Sequence, residues 1–335
     1  MNPRTHFRPG LPSDSAADHA FSAVASSSAE SRRSPPPPPA PTPRLPLLFE
    51  PRRSYTVEEA DAHCRMLFSQ RLRRSPVRPW FLQLPRVPDR PHLLALVVFA
   101  RIAETFVSDP QFRGQRPLAL NAWEHELTRA FHGEADHPVF VALRDAIDLC
   151  KLPLPPFLDF LNSCRRDLHR APFFSFAAIR EYCRLRSESL GQLGLQLFGH
   201  HDPVVLRYAA DFHTALQLTR FLQDLSVDLP HNRCFIPVED LYHFGISDAN
   251  LAALCGGAPL DEAASRSWRD LLNYQAMRAR SLLLRGRPVQ EGVSGDVRAH
   301  VQAAFQEALK LLCEIESLGP LILRVRPRAV DPQLG

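Results

Sequence analysis

The chain of 335 residues predicts an all-α fold, and three features carry that reading. Long segments repeat apolar residues at helical spacing, runs that alternate apolar and polar residues are scarce, and glycines fall mainly between the long segments. Apolar residues make up 45% of the composition, enough for one sizeable core in a chain of this length.

Residues 1–52 form a compositional zone of their own. The stretch 26–34 is mostly small and polar, 35–39 is unbroken proline, and further prolines continue to Pro51. Such a segment buries too little apolar surface to offset its ordering entropy, so we read it as a disordered Pro/Ser-rich leader with polyproline II character. The helical pattern begins after it, giving a folded domain over 53–328 and a short tail over 329–335. Thr56 with Glu59 three residues later is a capping box that opens the first helix. Residues 93–107 are apolar almost throughout, which predicts a buried helix. Helices are then expected over 155–169, 176–198, 204–228, 263–285 and 297–317, each with at least one apolar face. Asp202 followed by Pro203 supplies an N-cap and a first-turn proline for the helix over 204–228. We therefore read His200, His201 and Asp202 as a loop and cap rather than a metal cluster.

Charge and motif content exclude several function classes. The net charge is +4, and the positive side is almost wholly arginine, with Lys151 and Lys310 the only lysines. No basic run is interleaved with aromatic residues, so no nucleic-acid partner is expected. Seven scattered cysteines without a Cys-x-x-Cys pair predict free thiols in a reducing cytoplasm. No apolar run approaches the ~20 residues of a membrane span, and the N-terminus lacks the apolar core of a secretory signal. No glycine-rich dinucleotide or P-loop motif occurs, so NAD(P) is not expected, and no nucleophile-elbow serine is present.

The stretch with the most chemistry runs from Ala215 through Gln217, Arg220, Phe221 and Asp224 to Asp228, followed by Arg233 and Pro237. Asp224 and Asp228 stand four apart, which puts both carboxylates on one helix face. A pair of carboxylates one turn apart suits Mg²⁺, which binds through one or two carboxylates together with substrate phosphate oxygens.

These residues, with Asn232, Cys234, Phe235, Ile236, Glu239 and Asp240, resemble the second aspartate-rich region of the squalene/phytoene synthase family. The segment from Phe99 to Ala103 resembles its first metal-binding helix. Tyr182, Cys183, Gly191 and Leu197 to Gly199 resemble its central helix, and Arg278 to Arg280 with Gly286 a late one. The resemblance covers about 54–328 and is strongest to the bacterial hydroxysqualene synthase branch. It implies an isoprenoid synthase helical bundle around a central apolar cavity. It implies metal ligation by Asp224 and Asp228, with Glu104 as a longer-armed first-helix ligand, and diphosphate contacts from Arg101, Arg233 and Gln217. Arg101 has a second reading as a buried ion-pair partner of Glu104 or Asp167. Phe99, Phe106, Phe198, Phe212 and Phe221 are expected to line the hydrocarbon cavity or to pack the core.

The sequence departs from the family pattern at several of these places. Where the family has Asp-Asp-x-x-Asp, this chain has Glu104-Thr105-Phe106-Val107-Ser108. Arg220 stands where Asn is common, either as a salt-bridge partner of Asp224 or as a diphosphate ligand in place of a metal. Pro172, Phe173, Glu188, Phe235, Gln306 and Glu307 also depart. The function implied is conversion of presqualene diphosphate to hydroxysqualene with Mg²⁺. The alternatives are head-to-head condensation to presqualene diphosphate or phytoene, or an impaired member that binds other squalene-pathway enzymes. The expected location is cytoplasmic, with peripheral contact at the inner face of the membrane; Arg278 and Arg280 are read as helix surface.

Overall fold

The computed structural model describes residues 54–69, 90–169, 171–255 and 259–329. The expected leader over 1–52 lies outside them, as does the tail beyond residue 329. Every regular element among the described residues is helical.

The first helix, α1 (Val57–Leu67), starts on the expected capping box: the Thr56 hydroxyl accepts from Glu59 N at 3.2 Å and Glu59 accepts from Thr56 N at 3.0 Å. The predicted buried helix is α2 (Pro91–Ser108). It is long and apolar enough to span a bilayer, yet 72% of its apolar window is buried inside the protein, as befits the central helix of a core. Two helices that the sequence reading did not single out, α3 (Arg116–Phe131) and α4 (Pro138–Cys150), cover α2 together with α5 (Leu154–His169). Phe99 sits where they meet, ringed by Trp123, Phe140, Phe157 and Phe160.

The expected helix over 176–198 is interrupted. α6 (Phe176–Cys183) passes through a π-helical turn, Arg184–Glu188, into α7 (Ser189–Leu197). The helix over 204–228 is also broken. α8 (Pro203–Gln223) opens on the Asp202 cap, ends where Asp224 leaves helical geometry at φ −96° and ψ 9°, and gives way to α9 (Leu225–Asp228). α10 (Val238–His243) and α11 (Asp248–Cys255) lead into α12 (Glu262–Gly286), and the short α13 (Val289–Gly292) into α14 (Gly295–Leu318). α8 and α12 form the most extensive helix pair, closing tightly at Gly286, where a Cβ would lie 2.5 Å from Phe212 N. α8 carries Asp224 at one end, so this pair fixes where the candidate site stands.

One expectation needs correction. Arg278 is not helix surface: its guanidinium meets Asp240 at 2.6 Å and lies 3.9 Å from the Phe176 ring centre. Of the two roles open to the phenylalanines, Phe99, Phe106 and Phe212 take core packing: they are fully buried among neighbouring helices and do not line the cavity described below. The cysteines with described side chains are free thiols, as expected, and burial pushes Cys64 up to about 12.

Candidate active site

One cavity of about 1120 Å³ collects most of the residues singled out from the sequence. Its wall takes Glu104, Val107 and Ser108 from the end of α2, and Cys164, Arg166 and Asp167 from the end of α5. The π turn contributes Arg186, the α8–α9 junction Arg220, Asp224 and Asp228, and the following loop Arg233 and Phe235. Glu307 of α14 and Arg326 of the C-terminal segment complete it. Glu104 and Asp224, from the two carboxylate-bearing helices, thus face one cavity.

The break at Asp224 is what aims the second pair. Asp228 N still donates to Asp224 O at 2.8 Å, so one helical turn separates the two carboxylates, but Asp224 now caps α8 instead of continuing it. Asp224 is held by two arginines: Arg220, one turn earlier, at 3.6 Å, and Arg326 at 2.6 Å. Gln223 donates to Pro327 O at 3.0 Å, so the C-terminal segment is docked beside the α8–α9 junction. Asp228 lies 3.8 Å from Arg233, and burial pushes its carboxyl above the ordinary range while Arg233 opposes that shift.

The first-helix side is tighter. Glu104 is buried, with one carboxylate oxygen 3.0 Å from Arg186 Nη2 and the other 3.4 Å from Arg101 Nη1. Arg186 Nη1 donates in turn to Asp167 at 2.9 Å, and the Tyr182 hydroxyl donates to the other Asp167 oxygen at 2.9 Å. Burial pushes Glu104 upward, with Arg186 and Arg101 opposing it. Burial works against the Arg186 charge too, but the carboxylates of Asp167 and Glu104 outweigh it, so the guanidinium stays protonated.

Not every expected residue is on the wall. Arg101 is only 4% exposed and stands behind Glu104, in the ion-pair arrangement. Gln217 is half-buried two turns before Asp224 and is not a lining residue. Glu188 also faces away, accepting from the Thr214 hydroxyl. Phe173 and Phe235 do line the cavity, and Phe235 stacks flat on Phe221 at 4.0 Å. Arg186 and Arg326 carry no local sequence signal of their place here, since each meets its carboxylate only through the fold.

The family model for squalene/phytoene synthase matches residues 78–332, most of the chain. The chain belongs to the squalene/phytoene synthase family. It is 28% identical to a phytoene synthase of Arthrospira platensis over 70% of this chain and 77% of that one. With a 15-cis-phytoene synthase of Synechocystis it shares 27% identity over 67% of each chain. Among solved structures, squalene synthase HpnC from Alicyclobacillus acidocaldarius superposes with a TM-score of 0.69 at 29% identity, covering 78% of this chain and 95% of that one. A ligand-bound dehydrosqualene synthase shares the fold at a TM-score of 0.63 and 20% identity. Isoprenoid diphosphate chemistry on a helical bundle is therefore the setting in which the site is to be understood.

Enzymes of this family generally pair a divalent cation with a diphosphate. Asp224 and Asp228, one helical turn apart, fit such a role by donor type and partial burial, but among the described residues no group of three or more acidic, histidine or cysteine side chains is spaced to hold a metal. The donor set fits on the α8–α9 side.

Proposed function

We propose that the cavity converts presqualene diphosphate to hydroxysqualene. The carbon–oxygen bond to diphosphate breaks with its electron pair leaving on oxygen. The resulting cation rearranges, and water adds to it with loss of a proton. The observation that carries this reading is the convergence of Asp224, Asp228, Arg220, Arg233 and Arg326 on one cavity wall, in a chain 29% identical to a squalene synthase over its fold.

Asp224 and Asp228 would hold Mg²⁺, which when bound neutralises charge on the departing diphosphate. Arg220, Arg233 and Arg326 are within ion-pair distance of those carboxylates and need little movement to donate to phosphate oxygens. Phe173 and Phe235 supply an apolar wall that limits where water reaches the cation. In this reading Arg101 acts through Glu104 rather than on the diphosphate, and Gln217 supports α8 behind the site. A triterpene product partitions into lipid, so we place the enzyme in the cytoplasm with peripheral contact at the membrane, near other enzymes of squalene formation.

The relatives named phytoene synthases favour a second reading, in which two prenyl diphosphates condense head to head. Incubation with Mg²⁺ and presqualene diphosphate, or with farnesyl or geranylgeranyl diphosphate, followed by mass spectrometry separates the two. Hydroxysqualene made only from the first substrate, and lost in Asp224→Ala/Asp228→Ala, is the expected result. Presqualene diphosphate or phytoene from the others would replace it with the second reading. Unchanged substrate in every vial would leave a binding protein.

A further inference from the structure

The first-helix half of the cavity is built differently from the second. On the α8–α9 side each carboxylate meets its arginines near the open wall, and Arg220, Arg233 and Arg326 keep between 26% and 47% of their side-chain surface exposed. On the α2–α5 side one guanidinium, 9% exposed, lies between two carboxylates from different helices: Glu104 of α2 at 3.0 Å and Asp167 of α5 at 2.9 Å. Each of those carboxylates has its other oxygen engaged as well, Glu104 by Arg101 and Asp167 by Tyr182. Two cationic and two anionic groups thus pair with one another, and each oxygen of Glu104 and Asp167 has a donor among the described residues.

A cation bridging carboxylates of two facing helices is the place a divalent metal would take. Arg186 reaches it from the π turn Arg184–Glu188, a widened turn of the kind that recurs at functional positions. The guanidinium is planar and forked, so its two terminal nitrogens serve one carboxylate each. Being part of the chain, it cannot dissociate, and it repels any second cation brought to the same carboxylates.

We propose that Arg186 is a tethered cation occupying the first-helix metal position, so that this enzyme binds its divalent cation only at Asp224 and Asp228. The inference deepens the reading of the cavity as an isoprenoid-diphosphate site. Arg186 is a positioning residue here: it fixes Glu104 and Asp167 and presents neutral, ordered surface on that side of the diphosphate.

The test is divalent-cation binding by the full-length protein without substrate, with Mn²⁺ alone as the probe, counted by electron paramagnetic resonance of free ion. Wild type is expected to take one Mn²⁺ per chain, lost in Asp224→Asn/Asp228→Asn. Arg186→Met is expected to gain a second Mn²⁺, which Glu104→Gln in the same chain removes again. Mn²⁺ is also expected to raise the melting temperature of Arg186→Met more than that of wild type, because the ion replaces the missing charge. Where Arg186→Met folds poorly, Arg186→Gln serves in its place, keeping polarity without charge.

Two ions on wild type, or no gained ion in either Arg186 variant, would overturn the proposal and leave the Asp224–Asp228 site standing. No ion on wild type would overturn it as well, because it leaves no divalent cation at Asp224 and Asp228.

Discussion

At the scale of single residues, Asp224 answers to two arginines that sit far apart in the sequence, and they do different work. Arg220 comes from the same helix, whereas Arg326 arrives from a position 102 residues away. Ion pairs this exposed contribute about 0.2–1 kcal/mol, so removing one shifts a linked equilibrium by up to about fivefold. Arg326→Gln is therefore expected to lower the Mg²⁺ concentration for half-maximal activity, by freeing Asp224, while raising KM for the diphosphate substrate, each by about two- to fivefold. Opposite movement of the two constants in steady-state kinetics is the signature; movement in one direction would mean that Arg326 only holds the C-terminal segment. His213 gives a second case. Burial against α7 pulls its imidazole down to about 3 from the ordinary 6.5. Above pH 6.5 it is neutral folded or unfolded and adds no pH dependence. Below that, the unfolded chain takes up the proton first, so folding stability falls by about 1.4 kcal/mol per pH unit. Denaturation at pH 7 and pH 5 should show wild type losing about 2 kcal/mol more than His213→Gln. Asp224 and Asp228 are legible in the sequence because their pairing is local, and Glu104 because the family resemblance points to its position. Arg186 and Arg326 are not, since Arg186 meets Glu104 across 82 residues and nothing near either arginine announces its partner.

At the scale of elements, helix starts were read more reliably than helix interiors. The Thr56–Glu59 box and the Asp202–Pro203 cap are settled by hydrogen bonds within three residues, and both formed as expected. The π turn at Arg184–Glu188 and the break at Asp224 contain no proline or glycine, and tertiary contacts decide them: Arg186 is drawn to Glu104 and Asp167, and Asp224 to Arg326. α3 is faint in the sequence: Ala119, Leu120, Trp123, Leu127 and Ala130 recur at helical spacing, but charged residues dilute its apolar stripe. The α8–α12 crossing carries the sharpest test at this scale. A Cβ on Gly286 would lie 2.5 Å from Phe212 N and 2.7 Å from Phe212 Cα, both backbone atoms that no rotamer change can move aside. Gly286→Ala must push the helices apart and is expected to cost about 1–3 kcal/mol in chemical denaturation. A stabilised variant would show that the helix gains more from alanine's propensity than the crossing loses. Because α8 carries Asp224, its activity should fall at temperatures where it remains folded.

Across the whole molecule, the cavity works as a set of exchangeable partners. Without ligand, Asp224 and Asp228 are compensated by Arg220, Arg233 and Arg326. A diphosphate that draws those arginines away leaves two carboxylates uncompensated, and a cation that takes the carboxylates leaves three guanidiniums without an anion. Each ligand alone thus gives up part of what it gains, whereas both together restore every pairing. Coupling of this kind between two sites is typically about 1–3 kcal/mol and must act equally in both directions. Thermal unfolding with inorganic pyrophosphate alone, Mg²⁺ alone, and both together reads it without any turnover. At ligand concentrations well above saturation, the stabilisation by both should exceed the sum of the separate effects by that coupling, which for a domain of this size is about 2–10 °C of melting temperature. Because the two ligands also associate in solution, a phosphonate analogue that binds Mg²⁺ weakly serves as a control, and it should show the same excess. Simple additivity would mean that the arginines never leave their carboxylates, and that the cavity holds its ligand through groups other than the second aspartate pair.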